Sequence, residues 1–483
     1  MAKLLTKSKY MNGLESDALL WMVVNQKESL PEVDDATQAK FDAGKEIEIL
    51  ARKMFPGIDL SEADFKENLA ETKKYISQNK IIYEAGFMID NLYSRSDIII
   101  PNSDGSWDLI EIKGSTKVKE SHVKDLAFQK HVLELSGLKI NDCFVIHLNR
   151  DYVRKDFLDI GLLFSKSDVT RRVNKEIVGI EQRIEHMFDV INLPQCPMFD
   201  YRDILKSEYG NYLIDEFYED LPENSVFDLY NIEVERALNL LDRGILLISD
   251  LPDDFILTAV QKIQKDCIIN DKVHIQKDDL KAFNGGLKFP ICYLDVAAMM
   301  PAIPLFESSR AYDQIPYQYS LRIEHESGKV EHKNFLYDGS DDPRIFFLDN
   351  LKKDLEGAGS VVIYNEAFEL YRLKALAKSF PNHSWLDGVL DNIVDLAFPF
   401  KSFAYYNPKQ GGAVSLNKVM SLFFDKSHES LVIKNVDDAS RLYYANFGNL
   451  NEVLKNDLVK CCDLNTEGMY FTFKSLRGLV SNT

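Results

Sequence analysis

The chain has 483 residues, 45% hydrophobic and 11% aromatic, with a formal net charge of −19. That length exceeds a single core, so two or three globular domains are expected, and no apolar run is long enough to span a bilayer. The acidity argues against non-specific nucleic-acid binding over the whole surface but leaves room for a local basic groove.

The first residues, MAKLLTKSKYMNG, lack the apolar core of a signal peptide. Six cysteines (Cys143, Cys196, Cys267, Cys292, Cys461, Cys462) show neither a CxxC pair nor regular spacing. A reduced, cytoplasmic setting is the expectation. Residues 36–54 have a rough apolar stripe of Phe41, Ile47 and Leu50 and read as a helix. Then come strands in IIYEAGFMI, SDIIIP and WDLIEIK, the last two joined by a turn in NSDGS. SHVKDLAFQKHVLELS reads as a helix stopped by Gly137, and NDCFVIHLNRDYV as another strand. This order predicts an α/β module.

In WDLIEIK, alternation puts Trp107, Leu109, Glu111 and Lys113 on one face. Asp97 stands 13 intervening residues before Glu111, a spacing that lets a hairpin bring the two carboxylates together. Such a pair suits a divalent cation, with Lys113 beside it for a phosphate or an attacking hydroxide. A solvated ion pair on a surface hairpin is the plain alternative. Glu46 lies in the preceding helix. Gln129 lies in the following one with Leu126 and Leu133 on its face, so it points inward and needs partners. Lys117, Lys119, Lys124 and Lys130 suggest a phosphate track.

Residues 170–285 carry a charged helical pattern. Beyond 288, strands are expected in KFPICYLDV, QIPYQYSLRIEH and KVEHKNFLYD. A helix in DPRIFFLDNLKKDLEGAG, a strand in SVVIYN and a helix in EAFELYRLKALAKSF follow. Three strands, helix, strand, helix is the order of the ribonuclease H-like fold, although fold order by itself carries no function.

The pattern Glu46…Asp97…Glu111-x-Lys113…Gln129 resembles the PD-(D/E)xK nuclease superfamily, and its RecB-like branch in particular. EIKGSTKVKESHVKDLAFQKHVLELSGL with FVIHLNRDYV further resembles a bacterial family of unknown function. There, a RecB-like module precedes an RNase H-like exonuclease module. The resemblance spans nearly the whole chain. It implies a restriction-endonuclease-like module over 1–205, a helical connector over 206–285 and an RNase H-like module over 286–483. Members of that family carry cysteines that look like iron–sulfur ligands. Here Ser16 stands in GLESDALLW and Cys196 is alone in LPQCPMFD. One thiolate cannot hold a cluster that needs four, so no iron–sulfur cluster is expected.

PICYLDVAAMMPAIP resembles the first motif of DEDD exonucleases, D-x-E. Asp295 is present, but the second acid is replaced by Ala297. A naturally incomplete site, an introduced Glu→Ala change and a shifted register are the three readings. YNEAFE supplies Glu369 as the second-motif acid, CCDLNTEG supplies Asp463, and Asp395 in DNIVDL also fits the pattern. The usual His or Tyr base is replaced by Leu458 or Val459. The resemblance thus implies an Mg²⁺- or Mn²⁺-dependent nuclease acting on nucleic acid, DNA more than RNA, in repair or defence against foreign nucleic acid. Asp97, Glu111, Asp295, Glu369 and Asp463 would be its metal ligands. The alternative is a nucleic-acid-binding or regulatory scaffold built from decayed nuclease folds. A protein partner or self-association stays open; no membrane association is expected.

Overall fold

A computed structural model describes residues 3–30, 33–198 and 221–481. The expected connector residues 206–220 therefore lie outside the described residues. The chain divides into two units, Met1–Glu219 with Ala302–Tyr312, and Asp220–Pro301 with Asp313–Thr483. Both are mixed α/β.

In the first unit, β1 (Leu5–Thr6) leads into α1 (Lys7–Glu15), α2 (Asp17–Asn25) and α3 (Asp35–Arg52). Next come β2 (Ile58–Asp59), α4 (Phe65–Ser77), β3 (Ile82–Ile89), β4 (Leu92–Pro101) and β5 (Trp107–Lys113). α5 (Glu120–Leu135), β6 (Ile140–Leu148), α6 (Ile160–Leu163), β7 (Phe164–Asp168), α7 (Thr170–Glu176) and α8 (Ile180–Ile191) complete it. The sheet order is β2-β3-β4-β5-β6-β7, with β1 parallel to β4. β3, β4 and β5 are antiparallel in turn, and α5 is the crossover to β6, which runs parallel to β5. The turn before β5 closes through Gly105 at φ 82°, and Gly137 at φ 91° ends the segment after α5, both conformations that glycine adopts without a Cβ clash.

The period of two in β5 sorts its residues as expected. Trp107 and Leu109 join the core under α5, with Leu126, Phe128 and Leu133. Ile110 and Ile112 join the opposite core, under α3, with Ile47 and Ala51. That second core is completed by Ile303, so residues 302–312 belong to the first unit although they were expected in an RNase H-like module. Arg154 also donates to the Pro304 carbonyl at 2.8 Å, and the Tyr312 hydroxyl to that of Gly114 at 2.6 Å.

The second unit contains α9 (Val234–Asp242), α10 (Ala259–Ile269), β8 (His274–Ile275) and α11 (Lys277–Gly285). These residues are no free-standing connector. Val226, Leu240 and Leu251 share a core, and β8 pairs with β14 (Tyr405–Tyr406). The main sheet runs β11 (Val330–Leu336), β10 (Ile315–Glu324), β9 (Ile291–Met299), β12 (Ser360–Ile363), β13 (Ile393–Asp395). β9, β10 and β11 are antiparallel, whereas β12 and β13 run parallel to β9. On one face, Leu294 and Val296 pack against α12 (Pro343–Asp354) and α13 (Glu366–Ser379). On the other, Ile291 and Tyr293 pack against Met469 and Phe473 of the last helix, α18 (Glu452–Ser481), which follows α14 (Trp385–Leu390), α15 (Phe398–Lys401), α16 (Leu416–Met420) and α17 (Val436–Ala445). Among the described residues, no helix is long and apolar enough to cross a membrane.

Candidate functional site

Asp97 and Glu111 meet because of strand register. The antiparallel ladder of β4 and β5 ends at Ile98–Ile110, and Asp97 and Glu111 are the next residue on each strand. The Asp97 Oδ2 accepts the backbone N–H of Ile112 at 2.7 Å. β3 is locally irregular at this level: its register with β4 runs from Tyr83–Ile98 to Ala85–Ser96 without a shift, and Glu84 between them sits at φ 57°.

The crossover helix then closes the group from above. Gln129 is fully buried, and its Nε2 donates to Glu111 Oε2 at 2.7 Å and to Asp125 Oδ1 at 2.8 Å. Its Oε1 is buried without a hydrogen-bond partner among the described residues. Lys113 Nζ bridges Glu111 Oε1 at 2.7 Å and Asp125 Oδ2 at 2.9 Å. Lys7 Nζ also reaches Glu111 Oε1, at 2.9 Å, and lies 3.8 Å from Asp97 Oδ1 and 3.9 Å from Asp125 Oδ1. Three buried carboxylates and two ammonium groups therefore share one small volume.

The charges settle unequally. Burial alone would raise Glu111, but Lys113 and Lys7 outweigh it and hold the carboxyl well below its usual range. Asp97 goes the other way, raised by burial and then by the Glu111 charge. Asp125 is likewise raised by burial and by Glu111. Burial would lower Lys113, yet Asp125 and Glu111 keep it protonated. His122 is pushed down to about 4 by burial and by Lys113 and Lys119, so it stands neutral.

Of the residues singled out from sequence, Asp97, Glu111, Lys113 and Gln129 come together. Glu46 does not; it is solvent-exposed. The buried stripe of α3 is Ile47 and Ala51, while Phe41 is 46% exposed, so the helix is rotated from the expected phase. Glu48 is the α3 acid turned inward, raised by burial and by Glu84, and also feeling Glu111. Lys130 is buried and bound to Asn174 at 2.7 Å, so it leaves the expected phosphate track. Asp125 was detectable, since it lies four residues before Gln129 on one helix face. Lys7 carried no signal: it is 104 residues from Glu111 and arrives through the pairing of β1 with β4.

The donors suit a hard divalent cation: the Asp97 and Glu111 carboxylates both lie within 4.0 Å of Lys7 Nζ, and the buried Gln129 amide oxygen has no partner among the described residues. Among the described residues, no three His, Cys, Asp or Glu side chains form a ready cage. Mg²⁺ commonly binds through one or two carboxylates, water and substrate phosphate, so two carboxylates suffice.

The acids expected in the second unit do not converge as a trio. Asp295 Oδ2 accepts from Asn465 Nδ2 at 2.9 Å and from the Cys462 thiol at 3.1 Å. Glu369 pairs with Arg372 at 2.6 Å, and its other oxygen is buried without a partner among the described residues. Burial pushes Glu369 up to about 8, with Arg372 opposing and Asp295 adding to the rise. Asp463 is turned elsewhere and pairs with His332 at 3.0 Å. On α18, Cys462 and Asn465 lie on the face toward Asp295; Asp463 falls off that face. Ala297 is buried opposite the register shift at Tyr317. Asp395 accepts the backbone N–H groups of Asn365 and Ala397 and pairs with Lys401, a loop-capping role.

Residues 292–415 match DUF2779, a domain of unknown function. The matched span holds Asp295, Ala297 and Glu369 and lacks Asp97, Glu111, Lys113 and Asp463. No curated protein matches the chain.

Proposed function

We propose that the chain is a divalent-metal-dependent nuclease whose chemistry lies in the first unit, with a PD-(D/E)xK-like arrangement of α3, β3–β5, α5 and β6. The single observation carrying this reading is the buried group Asp97, Glu111, Lys113 and Gln129, assembled by strand register and closed by the crossover helix. Asp97 and Glu111 would hold Mg²⁺ or Mn²⁺. Such an ion, when bound, polarises a phosphodiester and lowers the pKa of its water. Glu111 enters ionised, held so by its lysines. Lys113 is fixed between Glu111 and Asp125 and presents its charge to a phosphate oxygen or attacking hydroxide. Gln129 orients Glu111 and Asp125 through one amide nitrogen. The substrate is nucleic acid, DNA in preference to RNA, and repair or defence is the role that the resemblance suggests.

The strand order β11-β10-β9-β12-β13 supports an RNase H-like reading of the second unit, but Asp295 is capped by Cys462 and Asn465, and Asp463 pairs with His332 instead. That favours a second unit without nuclease chemistry of its own, which binds or scaffolds. The test is a cleavage panel of labelled single- and double-stranded DNA and RNA with Mn²⁺, run with the chain, with Lys113→Ala and with Ala297→Glu. Cleavage lost in Lys113→Ala and unchanged in Ala297→Glu is expected. Cleavage that appears only with Ala297→Glu would move the chemistry to the second unit.

A further inference from the structure

Lys7 is the residue of the cluster that local chemistry least explains. It is the first residue of α1, where the helix dipole disfavours a cation. Its ammonium is nevertheless aimed inward, at Glu111 Oε1, with oxygens of Asp97 and Asp125 within 4 Å. The backbone fixes this placement. Leu5 and Thr6 are paired with Leu92 and Tyr93 of β4, Thr6 caps the helix, and Tyr10 stacks on Phe128 of α5 at 4.7 Å. The helix is thus anchored on both sides of a lysine that gains nothing from its helix position. Lys113 already bridges Glu111 and Asp125, and Lys7 sets a second ammonium on the same Glu111 oxygen.

We infer that Lys7 is a built-in counter-cation that a divalent ion must displace from Asp97 and Glu111, and that it thereby sets the metal concentration at which the site fills. The inference rests on the metal-site reading above. An ammonium bound to Glu111 and a divalent cation on Asp97 and Glu111 would repel each other at close range, so both cannot hold these oxygens fully. The lysine stem is long and flexible and its side chain is a quarter exposed, so the ammonium has a way out toward solvent or a substrate phosphate.

The experiment is Mn²⁺ binding by calorimetry on the full chain, with melting curves with and without Mn²⁺. Wild type would be compared with Lys7→Met, Lys7→Arg and Asp97→Asn. Lys7→Met should bind Mn²⁺ at least about tenfold more tightly, because a repelling charge at close range has gone. It should also melt lower without metal and gain more from Mn²⁺ than wild type. Lys7→Arg, which keeps the charge, should bind as wild type does, and Asp97→Asn should lose the site. Lys7→Gln replaces Lys7→Met if the latter does not fold. Equal or weaker Mn²⁺ binding by the neutral variants, with wild type still binding through Asp97, overturns the Lys7 inference alone. No Mn²⁺ binding by wild type or by Lys7→Met overturns the metal-site reading and this inference with it.

Discussion

Glu111 stays ionised in the interior because two ammonium groups share one of its oxygens and an amide holds the other. Each of these partners has a distinct expected effect. Lys113→Ala should lower Mn²⁺-dependent cleavage by about 10²–10³, the cost of losing one preorganised charge at the reacting phosphate. Gln129→Leu keeps the volume but removes both hydrogen bonds, so cleavage or Mn²⁺ affinity should fall about 10–100-fold, as for other residues that orient ligands. Steady-state cleavage with calorimetry on the same samples checks both. Asp97, Glu111, Lys113 and Gln129 were legible in the sequence because strand and helix periodicity place them locally. Glu48 was missed by two positions because the apolar stripe of α3 was phased on Phe41, which is exposed. Lys7 was out of reach, since a parallel pairing over a long separation delivers it and no local pattern encodes that.

The elements that hold the site can be tested by stability. Glu84 sits at φ 57° within β3, a conformation that costs a non-glycine residue about 1–2 kcal/mol. Fully buried Asn68 supports it by donating to the Glu84 carbonyl at 2.8 Å and to that of Leu60 at 3.2 Å. Asn68→Ala should therefore destabilise the first unit by roughly 1–3 kcal/mol in urea denaturation. In the second unit, Glu369 binds a proton more tightly when folded than when unfolded, since burial moves it from 4.5 to about 8. Stability from this group is full below about 4.5 and is lost as pH rises toward about 8. Glu369→Gln should melt higher than wild type at pH 9 and lose that pH slope, as calorimetric scans from pH 5 to pH 9 would show. Strand positions were read well from alternation; the observed β5 coincides with WDLIEIK from end to end. The helix β-crossover–helix order was equally plain, because turn glycines and apolar periods mark it.

Division of the whole chain was the least legible feature. A helical connector was expected over 206–285, yet the described residues 221–285 belong to the second unit. Charge along a helix reports only its solvated face; the apolar residues that assign it to a core are few and scattered. The excursion of 302–312 into the first unit is similar, because Ile303 looks like any other apolar residue in AAMMPAIP. Ile303→Ala should cost the first unit about 2–5 kcal/mol, as for other buried isoleucines, and denaturation read on that unit checks it. The measurement that bears most directly on the metal-centre reading is anomalous diffraction from crystals of the full chain soaked in Mn²⁺. A manganese peak in contact with both Asp97 and Glu111, and none at Asp295, is the predicted result. A peak at Asp295 and Glu369 alone, or no peak between Asp97 and Glu111, would contradict it.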